Sequence, residues 1–107
     1  MIDTAIMVTM PSEKRIEILQ TFKAMLSEIR SEPGCICCNC YVDIEAENIL
    51  FFKEQWKNRE DLDTHLRSSH FSVLIGVMNL LNSEPDIRFN TIATTAGAEV
   101  LIEARAQ

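Results

Sequence analysis

The side chains in this sequence that can do chemistry are few. His65 and His70 are its two histidines. An imidazole titrates near neutrality, so either is a natural general base. Glu54 stands two residues before Trp56. On a strand these two side chains point to the same side. If that side faces helices, Glu54 is a carboxylate among apolar neighbours, a setting suited to proton transfer. The alternative is that Glu54 hydrogen-bonds a backbone amide or a histidine and holds a helix in place. Trp56 can be core, substrate platform or both. His65 is the better catalytic candidate because its helix can turn it toward Trp56, whereas His70, beside Ser68 and Ser69, reads as a brace. Asn39 and Tyr41 share a strand face and can orient a substrate oxygen, and Arg88 can stabilise an anion. Each of these three can equally be an ordinary surface or interface residue.

Cys35, Cys37, Cys38 and Cys40 suggest a metal at first sight. Thiolates must converge on one point to hold zinc or an iron–sulfur cluster. A regular strand sends Cys35 and Cys37 to one side and Cys38 and Cys40 to the other. Residues two apart on a strand are about 6.6 Å apart, unsuited to a local disulfide. The four are therefore expected to be small buried hydrophobes that hold no metal, with a redox-sensitive dimer core as the minority alternative.

The elements that must position these residues follow from pattern. Ile2 to Met10 reads as a strand. Pro11 breaks it and Ser12 is a plausible N-cap. Ile18, Leu19, Phe22, Met25, Leu26 and Ile29 recur at helical spacing, until Pro33-Gly34 turns the chain. Cys35 to Asp43 and Ile49 to Trp56 read as a hairpin. Asn58 caps a short helix carrying Leu62 and Leu66, and Ser68 or Ser69 restarts it through Phe71, Leu74, Ile75, Met78 and Leu81. Ile87 to Thr95 reads as a fourth strand, and Glu99 to Ala104 as a fifth short strand or an arm. The order β-α-β-β-α-β is the ferredoxin-like, split-βαβ arrangement of the α+β class, with residues 1–95 as the domain and 96–107 as its terminal strand or arm.

Helices can cover only one face of such a sheet. Yet Leu50, Phe52, Glu54 and Trp56 oppose Ile49, Phe51, Lys53 and Gln55, so both faces carry apolar groups. A second copy packed sheet to sheet is the simplest cover, giving a homodimer.

Composition narrows the partners. With 107 residues and 47% hydrophobic content the chain can form one folded domain. Asp+Glu outnumber Lys+Arg by 16 to 10, which argues against nucleic acid and against an anionic membrane surface. A small, largely apolar aromatic molecule is the more natural ligand. Met1-Ile2-Asp3-Thr4 lacks a basic signal start, so a cytoplasmic location is expected.

The run Glu32-Pro33-Gly34-Cys35, then Glu54-Gln55-Trp56, then Leu62 and His65-Leu66-Arg67-Ser68-Ser69-His70-Phe71 resembles the antibiotic-biosynthesis-monooxygenase family. The likeness runs from about Ile2 to Thr94. It implies a dimeric α+β barrel made of two ferredoxin-like subunits. It also implies oxidation of quinols or polyphenols by O₂ without metal, haem or flavin. The cysteine cluster departs from the family pattern, where mixed residues follow the first Cys. A haem-degrading relative would carry an Asn in the first strand, a Trp where His65 stands and a ligating His where Ile75 stands, so haem degradation is disfavoured. The expectation is a cofactor-free monooxygenase. Its alternatives are a non-catalytic small-molecule-binding or stress-response dimer of the same fold, or a structural dimer whose interior beside Trp56 and His65 is packed solid.

Overall fold

The structure, a computed structural model, describes residues 1–106. Four strands form one antiparallel sheet: β1 (Ile2–Thr9), β2 (Cys35–Val42), β3 (Ile49–Trp56) and β4 (Asp86–Thr91), in the order β2-β3-β1-β4. Helices α1 (Arg15–Arg30), α2 (Arg59–Leu66) and α3 (Ser69–Met78) accompany it, and α4 (Glu99–Arg105) follows β4. This is the ferredoxin-like α+β fold that the element order predicts.

The apolar rows decide which face is covered. Ile2, Ile6 and Val8 of β1 and Leu50, Phe52 and Trp56 of β3 are buried together with Ile18, Phe22 and Ile29 of α1 and Phe71, Leu74 and Val77 of α3. Phe22 packs on Phe52 with ring centroids 5.4 Å apart. Each such side chain contributes about 1.5–3 kcal/mol when fully buried. The helices leave the inner face of β4 open, where Ile87 and Phe89 are 42% and 47% exposed.

Local chemistry sets the breaks. Asn58 Oδ1 accepts from the Asp61 amide at 2.8 Å and starts α2. Ser68 Oγ accepts from the Phe71 amide at 3.2 Å and starts α3, so the second helix is split where the two serines suggest. Gly34 has φ +80, and a Cβ there would collide with the Asp61 side chain. Its carbonyl accepts from the Lys57 amide at 2.8 Å, locking the end of α1 to the start of α2.

Three expectations need correction. Ser12 does not cap α1; it opens a 3-10 turn, Ser12–Lys14, and its hydroxyl accepts from Asn48 at 3.1 Å. The segment after β4 is not a strand. The strand ends at Thr91, no neighbouring strand is available beyond it, and Glu99–Arg105 is helical, with the Glu99 carboxylate accepting from the Gly97 amide at 2.8 Å. The third concerns the cysteines. Cys35 pairs with Trp56 and Cys37 with Gln55, so Ile36 is an extra residue in a β-bulge. The bulge reverses the alternation, and Cys35 joins Cys38 and Cys40 on the helix side while Cys37 alone faces the other. Among the described residues no three Cys, His, Asp or Glu side chains are grouped to hold a metal ion.

All four thiols are free. Burial, then the Glu54 carboxylate, pushes the Cys35 thiol up to about 11, and burial pushes Cys40 up to about 12 and Cys38 higher still. The thiolate is the nucleophile. Native protein at pH 7.5 is therefore expected to leave these three thiols unmodified by iodoacetamide for hours, and to expose all four to it in urea. Mass spectrometry of the alkylated protein checks this.

Candidate functional site

Three polar residues are fully buried among the described ones: Thr4, Glu54 and His65, each 0% exposed. All three lie on the helix side of the sheet. Glu54 comes from β3, between Phe52 and Trp56. His65 comes from the last turn of α2, which the Asn58 cap and the Gly34 turn hold against β3. Its ring stacks on the Trp56 indole, with centroids 4.4 Å apart and planes 26° apart, and meets Phe71 edge-on at 5.3 Å.

Both ring nitrogens of His65 face carboxylates. Nε2 is 2.7 Å from Glu54 Oε2, and Nδ1 is 3.0 Å from Glu32 Oε2. The Nε2 contact is short but lacks hydrogen-bond geometry, and neither of its atoms has another hydrogen-bond partner. Carboxylates can only accept, so a ring that faces one at each nitrogen is favoured in its doubly protonated form. Burial by itself lowers the His65 pKa, but Glu54 and then Glu32 outweigh it, and the net direction is up. Glu54 keeps its other oxygen on the indole, whose Nε1–H donates to Oε1 at 3.2 Å. The chain of contacts runs outward through Glu32 Oε2 to His70 Nδ1 at 3.3 Å, and from His70 Nε2 to Glu28 Oε2 at 3.3 Å.

The sequence candidates thus divide into two groups. His65, Glu54, Trp56 and His70 come together. Asn39, Tyr41 and Arg88 lie on the opposite face: Asn39 accepts from Arg30 at 3.2 Å, Tyr41 is exposed, and Arg88 is held by Asp86 at 3.1 Å. Glu32, which joins both histidines, stood in the Glu32-Pro33-Gly34-Cys35 run without an assigned role. Its distance along the chain from His65 hid it.

A cleft opens beside this cluster. Ile2, Leu62, Leu66 and Phe89 line this cleft, with Arg59 and Thr91 at its rim, and its volume is about 190 Å³. Ile2 is the cross-strand partner of Trp56, and Leu62 and Leu66 flank His65 on α2. That volume is below the roughly 300–1,000 Å³ of pockets that take drug-sized ligands, and it suits one aromatic ring.

The model of the antibiotic biosynthesis monooxygenase family matches residues 1–75. The chain belongs to that family. The matched stretch holds Glu32, Glu54, Trp56, His65 and His70, whereas Phe89 and Arg88 lie beyond it. An uncharacterized protein of Synechocystis is 32% identical over 84 residues, covering 78% of this chain; the chain spans 57% of that relative's length. A conserved protein from Methanosarcina mazei superposes with a TM-score of 0.78 at 30% identity, covering 83% of this chain and 89% of that one. A candidate antibiotic biosynthesis monooxygenase from Deinococcus radiodurans superposes with a TM-score of 0.84 at 18% identity, over 91% of this chain and 97% of that one, a likeness of fold. No helix among the described residues is long and apolar enough to cross a membrane.

Proposed function

We propose that this family member is a monooxygenase for small, one-ring quinol-like or phenolic molecules. In this reading it uses O₂ and an electron-rich substrate anion in place of a resident cofactor. The observation that supports it is the buried Glu54–His65–Glu32 cluster beside a cleft of about 190 Å³ lined by Ile2, Leu62, Leu66 and Phe89. Glu54 is the base in this reading. His65 has no nitrogen free for substrate, because both face carboxylates. Substrate deprotonation comes first and electron transfer to O₂ second. One oxygen atom enters the ring and the other leaves as water, with all four electrons drawn from the substrate.

The same cluster also ties α1, α2 and β3 together, and its closure favours a second reading, a non-catalytic small-molecule-binding dimer. Oxygen uptake by chelator-treated protein with hydroquinone, methylhydroquinone and catechol separates the two. Uptake well above the buffer rate supports the oxygenase. Uptake equal to buffer across the panel moves the assignment to ligand binding.

We also assign the open sheet face as the contact between two copies of the chain. Ala5, Met7 and Phe51 form an apolar recess there, beside the exposed Tyr41. Sedimentation is expected to give twice the mass of one chain. A Phe51→Glu variant, with a charge in the centre of the recess, is expected to sediment as a single chain. A wild type that sediments as a single chain would contradict this assignment.

A further inference from the structure

The remaining buried polar residue, Thr4, has no part in the cluster described above. Its hydroxyl is fully enclosed and has no hydrogen-bond partner. Leaving a buried hydroxyl unpaired is costly, and native folds keep few such groups without a reason. The register shows where this one stands. Thr4 pairs with Glu54 on one side and with Phe89 on the other. Cys38 pairs with Glu54 in turn, so Cys38, Glu54, Thr4 and Phe89 form one row across the helix side of the sheet. The next row holds Trp56, Ile2 and Thr91. Ile2, Phe89 and Thr91 line the cleft. Thr4 itself does not line the cleft; it lies one row inward from Ile2 and Thr91, between the buried carboxylate and the half-exposed ring of Phe89 that does line it.

We propose that the Thr4 hydroxyl is the group that reads a substrate hydroxyl in this cleft and connects it to Glu54. The proposal rests on the cleft being the ligand site, as set out above. A ring entering between Leu62 and Phe89 displaces the Phe89 side chain, which lies on an edge strand and is half-exposed. The substrate O–H then donates to Thr4 Oγ. In the proton step the substrate O–H bond breaks and its proton passes to Thr4 Oγ. With its side chain turned toward its cross-strand neighbour, Thr4 hands its own hydrogen to a Glu54 carboxylate oxygen, and the substrate is left as the anion. Thr4 ends as it began, and no electron moves. A hydroxyl can accept and donate at once, which no other residue type of valine's shape can do. The site accordingly selects hydroxylated rings over their ethers.

The test is anaerobic calorimetric binding of hydroquinone and of 1,4-dimethoxybenzene to wild-type protein and to Thr4→Val and Thr4→Ser. Wild type and Thr4→Ser are expected to prefer hydroquinone, and Thr4→Val to lose about tenfold in hydroquinone affinity while holding the ether as before. Thr4→Val is also expected to melt no lower than wild type without ligand, because it removes an unpaired polar group. Thr4→Val that keeps the full preference for hydroquinone overturns the role of Thr4 and leaves the cleft assignment standing. Wild-type protein that binds neither ring overturns the cleft assignment, and this proposal with it. If Thr4→Val fails to fold, Thr4→Ser and Thr4→Ala decide by the same comparison, the first keeping the preference and the second losing it.

Discussion

Replacing His65 by alanine is expected to cost the fold about 3–5 kcal/mol, measured as the loss in urea-unfolding free energy at pH 6. The reason is charge. The imidazole stands between Glu54 at 2.7 Å and Glu32 at 3.0 Å, with Glu54 and His65 wholly enclosed. Removing the ring strands a carboxylate in the core and opens a cavity against Trp56 and Phe71. Small domains have roughly 5–15 kcal/mol in total, so the variant sits close to unfolding. The sign of the pH dependence follows from the raised His65 pKa. A group whose folded pKa lies above its ordinary value of 6.5 stabilises fully below that value and ceases to do so as pH rises through the folded pKa. Wild-type stability should therefore fall above pH 6.5, and His65→Ala should lose that part of the pH dependence. A loss under about 1 kcal/mol would mean the pair behaves as a surface contact and would remove the imidazolium from the account.

Glu54→Gln is expected to lower turnover by about 10²–10⁴ while the protein stays folded. Glutamine keeps the shape and can still accept the indole N–H that Glu54 Oε1 receives at 3.2 Å. It cannot take a proton, and it takes away one of the two carboxylates that raise the His65 pKa. Circular dichroism should match wild type, and the His65 ring resonances should titrate at lower pH. Oxygen uptake with hydroquinone reads the rate. An unchanged rate in a folded Glu54→Gln protein would exclude Glu54 as the base.

The sequence carries much of this arrangement because the decisive signals are local. The apolar, strand-forming runs of β1 and β3, the helical spacing from Ile18 to Ile29 and the Asn58 and Ser68 caps are properties of neighbouring residues, and they lead to the strand and helix order directly. The pairing of Glu54 with Trp56 on one strand face is equally local. The parts that were hidden depend on tertiary context. The bulge at Ile36 shows only in the register of β2 on β3, so a regular alternation put Cys35 on the wrong face. Glu32 reaches His65 from the end of α1, a contact spanning 33 positions that no periodicity encodes. Thr4 looks like any strand threonine until its hydroxyl proves to be buried and unpaired. The terminal segment reads as a strand by its Val100-Leu101-Ile102 run, but without a neighbour to pair with, it takes the local hydrogen bonds of a helix.

The most direct measurement is an anaerobic titration of isotope-labelled protein with hydroquinone, followed by amide and methyl NMR shifts. The account predicts that Ile2, Thr4, Leu62, Leu66 and Phe89 move together, with the His65 ring following, while Asn39, Tyr41 and Arg88 on the opposite face stay still. Shifts confined to Asn39, Tyr41 and Arg88 would place the ligand on the other side of the sheet and contradict the site proposed for this family member.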